Sequence, residues 1–134
     1  MNYYLVCLPR ADMEHCIKIG TYGLKRQNVI SQVATGDKIA CVVTREPDWK
    51  IIALGEATSD YYVDDKPIFR EEGLFVDRFN FKSLKLKPEL KLWDLMDSLK
   101  FVKKQEYYAA YFKNGIVKLT KDEWTAIAEA ADIR

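Results

Sequence analysis

Between Arg78 and Lys118 ten cations stand against four carboxylates. Over the whole chain, 21 Lys and Arg nearly cancel 20 Asp and Glu, leaving a formal charge of +1. The basic stretch also carries Tyr107, Tyr108, Tyr111 and Phe112. Phosphate attracts cations by Coulomb force and counterion release. Bases stack on flat aromatic faces at about 1–3 kcal/mol each. The combination points to single-stranded or flipped-out nucleic acid rather than to a helix in a duplex major groove. The same composition also allows a solvated charged face over tyrosines packed in a core. A second group of such residues, Tyr22, Gly23, Lys25 and Arg26, falls in a segment that reads as a loop over residues 21–27.

Other chemistries lack their residues. There is no G-x-x-x-x-G-K-[ST] or G-x-G-x-x-G run to cradle a nucleotide phosphate. There is no G-x-S-x-G elbow and no H-E-x-x-H helix. The carboxylate pairs Asp64–Asp65 and Glu71–Glu72 read as solvated loop residues, because acid/base work needs a perturbed group in a cleft. Cys7, Cys16 and Cys41 are odd in number, widely spaced and flanked by apolar residues, so they read as buried thiols of a reducing cytoplasm. The single histidine, His15, has no ligand spacing around it and reads as an exposed helix residue. No cofactor and no metal is expected. The motif inventory favours a binding module over an enzyme.

The elements that must position these residues come from periodicity. At 134 residues, 49% hydrophobic and 31% charged, the chain fits one domain over 1–134 with a core of its own. No apolar run approaches the ~18 residues of a membrane span, and the opening residues read as a first strand rather than a signal peptide. Strands are expected over 3–8, 39–44, 50–59 and 116–119. Pro9 opens a short helix with Met13, Cys16 and Ile17 on one face and Gly20 as its stop. A helical turn is expected from Asn28 to Val33. From Phe75 to Lys87 the apolar residues change parity near Ser83, which implies a strand turning a corner. Leu92, Leu95, Met96 and Leu99 have helical spacing. Thr120 to Glu123 is a capping box opening a last helix, whose buried stripe is Trp124, Ile127, Ala128 and Ala131. Scattered strands with short helices between and after them predict an α+β chain: a small mixed β-barrel of about five to six strands with flanking short helices.

The order of several short elements resembles the EVE domain of the PUA-like superfamily over nearly the full length. Asn2-Tyr3-Tyr4-Leu5 is similar to the family's first strand. Thr21-Tyr22-Gly23 falls where the family has an aromatic, typically Trp, followed by Gly. Gln27-Asn28 resembles a Lys-Asn helix start, and Gly36-Asp37-Lys38 the turn before the next strand. Tyr62-Val63-Asp64 with Ile68-Phe69, and Phe75-Val76-Asp77-Arg78-Phe79, resemble the segments that follow. Phe101-Val102-Lys103-Lys104, then Tyr107-Tyr108, is similar to Phe-Ile-Lys-Asn, then Arg-Trp. The capping box with Trp124 resembles the closing helix. Two family tryptophans are replaced by Tyr22 and Tyr108, Asp77 replaces an aromatic, and Tyr107 stands where Arg is common.

The resemblance implies a PUA-like barrel with a pocket for a base, often a modified one such as 5-methylcytosine or 5-hydroxymethylcytosine. Tyr22 and Tyr108 are then expected as walls of an aromatic cage, with Gly23 and Tyr107 beside them. Asp77 and Asn28 are expected to read the base edge. Lys25, Arg26, Arg78, Lys103 and Lys104 are expected on flanking phosphates. The implied partner is an unpaired or flipped-out base of DNA or RNA, with no membrane. Two alternatives stay open. One is general RNA binding without modification sensing. The other is an amidohydrolase of the related ASCH type, whose Gly-x-Lys-x-x-Glu-x-Arg pattern begins with Gly23 and Lys25 but meets Asn28 and Ile30 in place of Glu and Arg.

Overall fold

The computed structural model describes residues 1–25, 28–45, 49–68, 75–102 and 111–131. Their elements run in the order β1 (Tyr3–Pro9), α1 (Arg10–Ile19), β2 (Thr21–Leu24), a 3-10 turn (Val29–Gln32), β3 (Lys38–Thr44) and β4 (Lys50–Ala57). There follow β5 (Tyr62–Val63), β6 (Asp77–Lys91), a 3-10 segment (Leu92–Ser98), β7 (Ile116–Leu119) and α2 (Lys121–Ala130). The sheet order is β2-β6-β4-β3-β1-β7, with the two-residue β5 attached to β6.

β1 and β3 form the parallel centre of the sheet, in register from Tyr3 opposite Lys38 to Pro9 opposite Thr44. A centre buried on both faces explains their continuous apolar runs. Tyr4, Val6, Ile39, Cys41 and Val43 face the concave side, where they meet Tyr22, Phe79 and Met13 and Cys16 of α1. Leu5, Cys7, Ala40 and Val42 face the convex side, covered by Leu92, Leu95 and Met96 of the 3-10 segment and Ile127 of α2. Each such large side chain contributes about 1.5–3 kcal/mol by leaving water. Gly20 ends α1 at φ 71°, its N–H reaching Cys16 O at 2.8 Å.

β6 is the strand that turns the corner. Residues 77–80 pair with β2, and Ala57 to Lys50 of β4 pair onward from Phe81 to Lys91. Phe79 and Phe81 belong to the concave core and Leu86 to the convex one, so the parity change is real. The register breaks opposite Ile51–Ala53. The capping box is present as expected: Thr120 Oγ1 accepts from Glu123 N at 3.1 Å and Glu123 Oε1 accepts from Thr120 N at 2.8 Å.

Three expectations change. Residues 21–24 are a strand rather than loop, held by pairing with β6 across more than fifty residues of sequence. The segment from Leu92 is 3-10 rather than α. The sheet is a half-barrel rather than a closed barrel, because its outer strands β2 and β7 share no ladder. Side chains bridge that gap instead: Tyr22 Oη to Gly115 O at 2.6 Å, Asn28 Nδ2 to Asn114 O at 3.2 Å, and Lys118 Nζ to Gln32 Oε1 at 3.1 Å.

Candidate functional site

Where β1, β2 and β3 end and β7 begins, the half-barrel leaves a hollow of about 610 Å³. Its inner wall is Cys7, Leu8 and Leu24, with Gly115 beside them. Asn28, at the start of the 3-10 turn, and Asn114 stand on the side that bridges β2 to β7. Phase and charge come from the strand ends: Lys25 just past β2, Arg45 just past β3, Lys113 ahead of β7, and Phe75 ahead of β6.

The Lys25 ammonium sits 5.3 Å from the centre of the Phe75 ring, an arrangement of about 0.5–1 kcal/mol when exposed. Arg45 and Lys113 are exposed and carry no ion pair with any described residue. No carboxylate is among the described residues that line the hollow. Arg45 has φ 60°, a left-handed conformation that costs a side-chain-bearing residue about 1 kcal/mol or more. Three cations thus converge on one opening with no carboxylate among the described lining residues, an arrangement that attracts anions.

Below the mouth, the wall's carbonyls are already in use. Tyr22 Oη donates to Gly115 O at 2.6 Å, with Cys7 O at 3.1 Å. Cys7 N also donates to Gly115 O at 2.9 Å. Asn28 Oδ1 accepts from Ile30 N at 3.0 Å while its Nδ2 serves Asn114 O. Gly115 has φ 79°, which favours glycine, and a Cβ there would also press to 2.6 Å from Leu24 Cδ2 and 3.2 Å from Tyr22 Oη.

The residues expected to form the site divide accordingly. Lys25 and Asn28 line the hollow. Tyr22 does not form an open wall: its ring is wholly buried, 5.7 Å from Phe79, and its hydroxyl is bonded to the carbonyl of the lining residue Gly115. Its parity on β2 puts it in the concave core, and burial pushes its phenol well above the ordinary range. Gly23 faces the other side, where a Cβ would lie 2.8 Å from Ile68 Cδ1 and 3.1 Å from Phe75 O; it makes room for that segment rather than for a base. Asp77 is buried and accepts a 2.5 Å hydrogen bond from Tyr61 Oη, so it is not free to read a base edge. Arg78 is 3% exposed. Its guanidinium donates to Phe75 O at 2.7 Å and to Lys66 O, and meets Asp64 at 3.8 Å, which takes it away from phosphate. Arg26, Lys103, Lys104, Tyr107 and Tyr108 lie outside the described residues.

Arg45, Phe75, Lys113 and Asn114 line the hollow without having been singled out as site residues by sequence. The one local signal was Asn114-Gly115, a turn pair just before a strand. A second hollow, about 590 Å³ between α2 and the β4–β6 face, is lined in part by Leu54, Leu84, Trp124 and Ala128. Its Lys38 is already paired with Glu56 at 3.0 Å, so it offers less unspent charge. All three thiols are buried and free, with Cys16 pushed up to about 12 by burial. His15 is exposed on α1 as expected, its Nε2 donating to Ile68 O at 2.5 Å. Among the described residues no helix is long and apolar enough to cross a membrane.

The chain is a curled, mixed half-barrel with a parallel β1–β3 pair and short flanking helices. No family model matches the chain. It is 28% identical over 125 residues to the UPF0310 protein PH1033 of Pyrococcus horikoshii, covering 84% of this chain and 86% of that one. A hypothetical protein from Leishmania major superposes with a TM-score of 0.73 at 14% identity, over 98% of this chain and 95% of that one. Human THYN1 protein in complex with 5-methylcytosine-containing DNA superposes with a TM-score of 0.65 at 10% identity, over 100% of this chain and 99% of that one.

Proposed function

We propose that this chain is a nucleic-acid-binding module of the EVE type that takes an unpaired base into the hollow between β2 and β7. The observation that carries the reading is the convergence of Lys25, Arg45 and Lys113, free of carboxylates among the described residues, on an apolar recess beside the Phe75 ring. A superposable neighbour that holds 5-methylcytosine-containing DNA supports it. The cations hold flanking phosphates. Leu8, Leu24 and Phe75 give a base, or a methyl group on one, an apolar surface. A buried methyl is worth ~0.8 kcal/mol, only a few-fold in affinity. Drawing a base out of a duplex costs a few kcal/mol, so single strands bind more tightly than duplexes.

Fluorescence anisotropy with methylated and unmodified single strands, titrated across salt, tests this. With two or three phosphate contacts the log–log salt slope is about −1.4 to −2 for a single strand. Arg45→Glu with Lys113→Glu weakens binding at least about ten-fold. Methylated strands bind a few-fold tighter if modification is sensed, and alike if the module is a general RNA or DNA binder. A flat salt response untouched by the double variant would remove the reading.

A further inference from the structure

The proposed reading leaves open which edge of a base the hollow recognises, and the hydrogen-bond census around it narrows the choice. Gly115 O accepts from both Tyr22 Oη and Cys7 N, while Cys7 O lies 3.1 Å from the same hydroxyl, whose one proton serves the shorter contact. Asn114 O is occupied by Asn28 Nδ2, and Asn28 Oδ1 by Ile30 N. Asp77, the carboxylate that could have accepted from an amino group, is buried against Tyr61 and does not line the hollow. What the described lining leaves unspent is chiefly donors: the Lys25 ammonium, the Arg45 guanidinium and the Lys113 ammonium. Among the described lining residues the side-chain oxygen acceptors are two carboxamides, Asn114 and Asn28, the latter already holding Ile30 N.

We infer that the hollow selects bases whose inserted edge carries acceptors, that is, a carbonyl oxygen where cytosine and adenine carry an exocyclic amine. This rests on the base-uptake reading and deepens it. An amine brought into the hollow leaves water and meets cations that cannot accept its hydrogen bond. A carbonyl oxygen leaves water and meets guanidinium or ammonium donors, which form the stronger, charge-assisted bonds. Arginine is well suited to such an edge, since its paired N–H groups fit adjacent acceptors. The preference extends to thymine, uracil and guanine, and to a pyrimidine carrying a carboxylate.

The test uses the full chain and one single-stranded sequence with a single central position varied. Thymine against 5-methylcytosine keeps the methyl group and exchanges one oxygen for one amine. Uracil against cytosine repeats the exchange without the methyl, and an abasic strand reports binding through phosphates alone. Thymine and uracil are expected to bind at least about ten-fold tighter than 5-methylcytosine and cytosine, the share of one charge-assisted hydrogen bond. Arg45→Gln and Lys113→Gln, assayed at equal folded fraction, are expected to shrink that ratio and not merely weaken all strands together. 5-Methylcytosine binding as tightly as thymine overturns the inference while base uptake stands. An unchanged ratio in both variants also overturns it, placing the cations on phosphate only. An abasic strand that binds as well as the rest overturns base uptake itself.

Discussion

Two charged regions flank the same strand ends and are built on opposite plans. Around β5 and the start of β6 Asp77, Arg78 and Asn80 are each answered. Asp77 holds Tyr61, Asn80 Oδ1 accepts from Thr21 and Tyr62 at 3.0 and 2.7 Å, and Arg78 binds two backbone carbonyls and faces Asp64. At the mouth of the hollow Arg45 and Lys113 face solvent with no acid among the described residues to meet them. A saturated knot contributes to folding; an unanswered cluster opposes it slightly and is useful only when a ligand arrives. Charge by itself therefore does not mark a site. Charge left without a partner does.

The sharpest way to break this contrast is to remove one cation from each region. Arg78→Ala strips the carbonyls of Phe75 and Lys66 of their buried donor, at a cost of about 2 kcal/mol in urea or thermal unfolding. Lys113→Ala, exposed and unpaired, changes stability by no more than about 0.5 kcal/mol. Equal losses in the two variants would erase the distinction.

A smaller effect comes from the hydrogen bond inside the knot. Tyr61's phenol is raised above its ordinary value of 10.0, first by the hydrogen bond it gives Asp77 and then by burial. The native state thus keeps this proton to higher pH than the unfolded chain does. Its contribution to stability is fully present below pH 10.0 and is lost as pH rises through the folded value. Asp77→Asn is expected to move one tyrosine's titration back toward 10.0, read by tyrosinate absorbance against a Tyr61→Phe control. Lys25→Ala, at the open mouth, leaves that titration where it is.

Much of the fold was legible because its signals are local. The apolar run of β1, the Met13–Cys16 face of α1, the parity change in β6 and the capping box at Thr120 each declare themselves within a dozen residues. β2 did not, because four residues containing a glycine and followed by cations look like a loop until β6 pairs with them. The site was legible in kind and only partly in place. Lys25 and Asn28 line the hollow, but Tyr22 was expected at its open face and instead completes the core, since strand parity and not residue type decides which way a ring points. Arg45, Phe75 and Lys113 sit at three strand ends separated by dozens of residues, and only the closing of the sheet brings them to one mouth. Among the cations their meaning lies in lacking a partner, which sequence does not display.

The finest test separates the two plans at a single residue. Arg45 combines a left-handed backbone, φ 60°, with a guanidinium at the hollow that makes no ion pair with a described residue. The conformation disfavours any residue with a Cβ by about 1 kcal/mol or more and suits glycine. Arg45→Gly therefore relieves backbone strain, offset in part by the greater entropy of a glycine in the unfolded chain, and is expected to raise stability by about 0.5 kcal/mol. Arg45→Ala removes the same guanidinium but keeps the strain and gains nothing. Both weaken oligonucleotide binding to a similar degree, because both lose the same charge. A strained residue that can be replaced with a gain in stability and a loss in binding is held in place by function, and if Arg45→Gly instead destabilises the chain while binding is unchanged, the mouth of the hollow is structural after all.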